Sequence, residues 1–131
     1  RARSPTPDTL DPPKLAPGDP LCLAAHDGLY IDPTGDVFPC VAWPRCLGSV
    51  SAHPLAEVFA GPEAAAVRRF RQSDRAACRD CHLQDSCSFC PGEAELAHGN
   101  CLTPASSSCD QARVAARAVM IARQDGGEND D

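Results

Sequence analysis

The chain has 131 residues, a formal net charge of −6 at pH 7, nine Cys, one Trp, one Tyr and four Phe. This length allows one domain, and the negative charge argues against nucleic acid as the main partner, because phosphate binding needs a basic surface. No stretch approaches the roughly eighteen apolar residues of a membrane helix, and no secretory signal is visible. We therefore expect a cytoplasmic protein with neither a membrane nor a nucleic acid among its partners.

The first part of the chain is predicted to be a linker followed by a β-hairpin. Residues 1–20 contain six Pro, which remove backbone donors and fix φ, and such a stretch suits a tether between two domains. Residues 29–41 contain two short apolar runs around Asp32-Pro33-Thr34-Gly35, which has the residue types of a type I turn. We therefore expect two antiparallel strands joined by this turn.

Helices are predicted in two later segments. Residues 54–72 carry apolar side chains at three- and four-residue steps, with a break at Gly61-Pro62. Residues 110–124 have a partial apolar stripe and are predicted to form a closing helix that Asp110 caps.

The remaining segments complete a single small domain. Residues 73–109 carry six Cys and no long periodic run, which indicates a loop-rich metal-binding region. Residues 125–131 are acidic and are predicted to be a disordered tail. The expected fold is a small, metal-stabilised α+β domain over residues 21–124, with an N-terminal β-hairpin, one or two short helices, Cys-rich loops and a C-terminal helix.

Charged side chains of this chain are interpreted mainly as solvated. The run of five Arg is predicted to be a solvated helix face, the alternative being a docking face for an acidic partner or a neighbouring domain. Glu93 and Glu95 are interpreted as solvated carboxylates, because no base or nucleophile is paired with them, and Trp43 as a packing residue. The five Arg are Arg68, Arg69, Arg71, Arg75 and Arg79.

The Cys content indicates a metal-stabilised domain. Much of the apolar fraction is Ala and Cys, and small domains with thin cores usually need disulfides or metals. Two close pairs, Cys78-x2-Cys81 and Cys87-x2-Cys90, are a strong metal signal because each pair can turn both sulfurs to one side. An odd number of Cys and such tight pairs argue against ordinary disulfides.

Structural zinc and an iron–sulfur cluster remain as the two metal alternatives. Sites of four thiolates suit both, so spacing alone does not separate them. One local feature favours iron and sulfide: Cys90 precedes Pro91, as the last Cys of the run does in two-cluster bacterial ferredoxins.

Several motifs follow one another in a fixed order along the chain. Cys22 is followed by twelve residues, Gly35, four residues and Cys40. Leu47-Gly48-Ser49-Val50 comes next, and Cys78, Cys81 and Cys87 follow at intervals of two and five residues. Together these motifs resemble the SPASM domain, the C-terminal auxiliary iron–sulfur domain of radical-SAM enzymes that modify peptides or proteins. That family has the same Cys spacing, a hairpin similar to residues 30–40 and a Leu-Gly-Asn segment at the place of residues 47–50, and the resemblance covers about residues 20–115.

The sequence departs from the family pattern in three places. Cys87 and Cys90 are separated by two residues instead of three. The interval between Cys22 and Cys40 lacks the Cys that completes the first cluster in fully ligated members. Two further Cys, Cys46 and Cys101, are extra.

The resemblance implies two auxiliary [4Fe–4S] clusters. It assigns Cys22, Cys40 and Cys90 to the first cluster, which lies nearer the catalytic barrel. It assigns four Cys to the second cluster, with Cys109 as the last ligand because Cys101 falls in the variable gap of the family. The second set is Cys78, Cys81, Cys87 and Cys109.

The fourth ligand of the first cluster is a separate question. Pro44 favours a turn that could fold Cys46 back beside Cys40, so we assign Cys46 to the first cluster. The alternative is that Cys46 is a buried free thiol, since unligated Cys is among the most buried residue types.

The resemblance also implies a function that this chain does not perform alone. No three Cys have the CxxxCxxC spacing that leaves one iron open for S-adenosylmethionine, so we expect no catalytic residue here and S-adenosylmethionine only in an upstream barrel. The start at Arg1 and the Pro-rich entry favour the C-terminal part of a larger enzyme over a free-standing cluster carrier. The expected partners are that barrel and a peptide or protein substrate. The alternative from another class is a zinc-stabilised, non-redox interaction module.

Overall fold

A computed structural model describes residues 14–126 and shows a small α+β fold, as the sequence predicts. A three-stranded antiparallel sheet has the order β1 (Tyr30–Ile31), β2 (Asp36–Phe38) and β3 (Gly48–Ser49). The strand β3 was not predicted. It pairs Gly48 with Val37, which places the fully buried Val37 in the middle of the sheet.

The predicted hairpin is confirmed, and its turn is held by one carboxylate. The N–H of Gly35 donates to the carbonyl of Asp32 at 3.0 Å, and Gly35 has φ 92°, which favours glycine. Asp32 Oδ1 also accepts from the N–H of Thr34 and of Asp36, each at 2.9 Å. The hydroxyl of Thr34 and these backbone bonds lower the pKa of Asp32, because all of them favour its charged form.

The predicted helix pair is also confirmed, with the break where the sequence places it. Helix α1 spans Leu55–Ala60 and helix α2 spans Pro62–Arg69. Pro62 has no backbone N–H to donate and therefore begins α2 instead of continuing α1. The two helices contact each other and bury Val58 and Val67 against the sheet.

The Cys-rich segment is largely irregular, as predicted, but it ends in a helix that was not predicted. Three 3₁₀ turns occupy Gln72–Asp74, Ala76–Cys78 and Gln84–Ser86. Helix α3 then spans Pro91–His98, with Pro91 in its first turn and Gly99 at its C-terminus in the left-handed region, φ 68°.

The closing helix α4 spans Ser106–Gly126, so the predicted start at Asp110 is wrong. Asp110 does not cap the helix; its carboxylate pairs with Arg113 at 2.8 Å within α4. The helix includes the first two residues of the predicted tail, and residues 127–131 lie outside the described part. Within residues 14–126, none of the helices combines the length and apolarity that crossing a bilayer would require.

The end of the predicted linker is bound to the domain. Residues 1–13 of this linker lie outside the described part. The carbonyls of Pro17 and Asp19 accept from the N–H of Ser73 and Gln72, each at 2.9 Å, and the N–H of Leu21 donates to Phe70. Residues 17–21 therefore lie beside residues 70–73, which lead into the Cys-rich segment.

The main hydrophobic core cluster is small. It joins the sheet to α1 and α2, and its members are Ala25, Val37, Trp43, Leu47, Val58, Ala64, Val67 and Cys101. Between residues 71 and 90 the only buried side chain is that of Arg75. Residues 71–90 therefore have no apolar core of their own.

Candidate metal centre

The four Cys assigned to the second cluster lie in one region. Charge–charge interactions link Cys78 to Cys81 and Cys109, and they link Cys87 to all three. Cys109 lies in the first turn of α4. Helix α4 contacts the turn Gln84–Ser86, and this contact places Cys109 near the other thiols. Residues widely separated in sequence thus bring their thiols together here.

Short turns set the positions of these thiols. The N–H of Cys81 donates to the carbonyl of Cys78 at 3.1 Å, and that of Cys87 donates to Gln84 at 3.2 Å. The side-chain amide of Gln84 donates to the carbonyls of Cys78 and Arg79, which closes the loop between the two Cys pairs. Within residues 14–126, no three His, Cys, Asp or Glu side chains already stand close enough to hold one metal ion.

Arg75 is a positive charge that acts on two thiols of this group, those of Cys78 and Cys87. Burial raises the pKa of Cys78, the neighbouring thiols raise it further, and Arg75 opposes both through its charge and a hydrogen bond. Burial likewise raises the pKa of Cys87 against the charge of Arg75. A Cys must be a thiolate to bind a metal, so Arg75 favours the state that ligation requires.

The surroundings of Arg75 test whether a metal group fits here. Its side chain is 8% exposed, and its Nε is buried without a hydrogen-bond partner. A buried cation is costly unless an anion faces it. Four thiolates on a metal group supply such an anion, so these residues fit a thiolate-ligated centre.

The three Cys assigned to the first cluster have sulfurs that accept backbone N–H groups, as the sulfur of Cys81 also does from Leu83 at 3.4 Å. Cys22 accepts from Ala24 at 3.4 Å and Cys40 from Ala42 at 3.3 Å. Cys90 accepts from Glu93 at 3.4 Å, at the N-terminus of α3. Donors directed at sulfur stabilise a thiolate, and so does the N-terminus of a helix.

Two close contacts connect the backbone segments that carry these three Cys. The N–H of Ala25 donates to the carbonyl of Pro39 at 3.3 Å, which holds the turn after Cys22 beside Cys40. Helix α3 packs its second residue, Gly92, directly on the backbone of Ala42. Cys90 therefore lies next to the turn that carries Cys40.

Cys101 belongs to a buried network around Trp43. The indole N–H of Trp43 donates to Glu95 at 2.7 Å, and Arg45 pairs with the same carboxylate. Cys101 is 2% exposed; burial raises its pKa, and Arg45 opposes that rise. The interpretation of Glu95 as solvated is therefore wrong, because this carboxylate is 15% exposed and holds two partners.

Cys46 has neither environment. It is exposed, and its thiol donates to the carbonyl of Gly48 at 3.5 Å. A thiol that donates keeps its proton, whereas a ligand has lost it. The assignment of Cys46 to the first cluster stays a prediction, and the observed contact favours a free thiol at the surface.

The choice of Cys109 over Cys101 gives the first prediction. Replacing Cys109 with Ala is expected to remove one cluster, about half of the iron per chain, because Cys109 lies with the second set. Replacing Cys101 with Ala is expected to lower stability by about 2 kcal/mol without loss of iron, because it empties a core position. Iron analysis and thermal melts of both variants check this, and equal iron losses would contradict the assignment.

The role of Cys46 gives the second prediction. We expect Cys46→Ala to keep its full iron content and an unchanged electron paramagnetic resonance spectrum after reduction, because the thiol donates to Gly48. Cys40→Ala is the matched control and should lose the first-cluster signal. An altered first-cluster signal in Cys46→Ala would show that Cys46 is a ligand.

The functional residue that sequence reasoning missed is Arg75. It was interpreted as part of a solvated run, yet it is the buried member of that run. Two Ala separate it from Cys78. This short, uncharged interval is the only local signal in the sequence that could have assigned Arg75 to the site.

Comparison with known proteins supports iron–sulfur binding. The family model of the SPASM iron–sulfur cluster-binding domain matches residues 22–82, which include Cys22, Cys40, Cys78 and Cys81. No curated protein and no solved structure matches the chain. The resemblance is thus confirmed over residues 22–82, which cover the hairpin, the helix pair and the beginning of the Cys-rich segment.

Proposed function

We propose that this chain, which carries a SPASM iron–sulfur cluster-binding domain over residues 22–82, is the auxiliary domain of a radical-SAM enzyme that modifies a peptide or protein. The observation that supports this most is the division of seven Cys into two groups with different surroundings. Cys22, Cys40 and Cys90 lie on the turns beside the core and at the N-terminus of α3, whereas the other group includes Cys78 and Cys87, which line one cavity with the buried Arg75.

Each group would hold one [4Fe–4S] cluster. Cys22, Cys40 and Cys90 would hold the first, at the N-terminus of α3 and the turn after β2. The second cluster would be held by four Cys, namely Cys78, Cys81, Cys87 and Cys109. The clusters would supply electron transfer or a binding point for substrate, while the chain fixes their positions and shields them from water.

The number of protein ligands decides what the first cluster can do. A cluster in which four Cys thiolates bind all four iron atoms suits electron transfer. Three thiolates leave one iron open to an external ligand, as an open position does in catalytic metal centres. The contact of Cys46 with Gly48 supports the second arrangement. S-adenosylmethionine would bind in an upstream barrel, and this barrel and the peptide or protein substrate would be the partners.

Metal and sulfide analysis of anaerobically purified protein tests the proposal. We expect about eight iron and eight sulfide per chain, the content of two [4Fe–4S] clusters. Zinc without sulfide would support the non-redox interaction module instead, since four thiolates also suit zinc. A CxxxCxxC barrel preceding this segment in the parent protein would support the radical-SAM context, and an unrelated upstream domain would contradict it.

A further inference from the structure

Arg75 is held in a fixed place without a carboxylate. One terminal nitrogen donates to Gln72 Oε1 at 2.6 Å, and the guanidinium lies 4.9 Å from the centre of the Phe89 ring. None of the ion pairs found within residues 14–126 includes Arg75. Gln72 is neutral, and Phe89 offers only its ring face, so neither supplies a full negative charge.

The groups that do face Arg75 are thiols. Its side chain lines one cavity together with Cys78 and Cys87, and its charge acts on both thiols. Its Nε is buried and has no partner among the described residues. A planar guanidinium has five N–H donors in a fixed fork, and here the Nε donor remains free on a side chain that lines the same cavity as these thiols.

Two partly buried Arg side chains, Arg45 and Arg68, are satisfied differently. Arg45 pairs with Glu95, and Arg68 donates to the carbonyls of Ala25 and Phe59. Arg75 therefore differs from both in having its charge buried against cysteine sulfur. A purely structural Arg at this place would have its charge buried against only a neutral acceptor and a ring face.

We infer that Arg75 is the electrostatic partner of the second cluster, donating N–H to its sulfur atoms and raising its reduction potential. This inference rests on the proposed function. One-electron reduction adds a negative charge to the cluster, and a fixed cation within hydrogen-bond distance stabilises the reduced state more than the oxidised state. Hydrogen bonds to cluster sulfurs act in the same direction.

Redox titration of the purified, cluster-loaded protein tests this. Arg75→Gln is expected to weaken the reduced state of the second cluster at least about tenfold, which is a fall of about 59 mV for a one-electron couple. The signal lost in Cys109→Ala identifies the second cluster. Arg79→Gln is the matched control, because Arg79 is exposed and follows Cys78 directly. An equal fall in Arg79→Gln, or none in Arg75→Gln, would overturn the inference.

A measurement on the unaltered chain covers the case in which Arg75→Gln fails to fold. In protein labelled with ¹⁵N-arginine, pulsed electron paramagnetic resonance of the reduced second cluster is expected to show a ¹⁵N coupling that persists in Arg79→Gln. Absence of this coupling would overturn the inference while leaving the two clusters in place. Zinc without sulfide would overturn the proposed function and the inference together.

Discussion

Removing the iron and sulfide from this protein is expected to unfold residues 73–90 and to leave the sheet with α1 and α2 folded. This segment consists of short turns, and its only buried side chain is the cation of Arg75. Without thiolates on a metal, that cation loses the anion that compensates it, at a cost of several kcal/mol. The apolar core lies elsewhere and does not depend on the second set of Cys.

Hydrogen–deuterium exchange with and without the clusters measures this effect. Peptides from residues 73–90 should lose protection almost completely after anaerobic chelation, whereas those from residues 55–69 should keep most of theirs. Protein reconstituted with iron and sulfide is the control and should regain the original pattern. Unchanged protection of residues 73–90 in the metal-free chain would contradict the prediction.

Structure set by local chemistry was predictable from the sequence. The hairpin follows from Asp32 and Gly35 in one turn, and the division of α1 from α2 follows from Pro62. Helix α3 was missed because it has only eight residues, and a Cys-rich segment conceals so short a pattern. The start of α4 was misplaced because Ser106 and Asp110 are both acceptable helix-starting residues, and tertiary contacts decide between them.

The candidate site was predictable only in part, for a physical reason. Cys spacing reports which thiols a turn can bring together, and the family pattern adds the distant Cys109. Burial of a charge depends on what packs over it, which no local pattern encodes. Arg75 and Glu95 were therefore both interpreted as solvated, although one lies beside cysteine sulfur and the other holds Trp43.

Replacing Gly92 with Ala is expected to remove the first cluster and to lower the free energy of unfolding by about 3 kcal/mol. A Cβ at this position would lie 2.7 Å from the carbonyl carbon of Ala42, closer still to its oxygen, and 2.9 Å from the Cα of Trp43. These are backbone atoms, so no rotamer change relieves the overlap. Helix α3 must move away, and Cys90 at its N-terminus moves from Cys40 with it.

The direction in which the free energy of unfolding changes makes this test specific. In a helix without the overlap, Gly→Ala would stabilise by about 1 kcal/mol, because Ala has the higher helix propensity. Gly28→Ala is the control, since no heavy atom lies within 4 Å of a Cβ there and its φ is not positive. Denaturant melts and iron analysis check both variants: Gly92→Ala should lose about half of its iron, and Gly28→Ala should lose none. A stable Gly92→Ala with full iron would refute the close packing of α3 on Ala42 and the placing of Cys90 with Cys40.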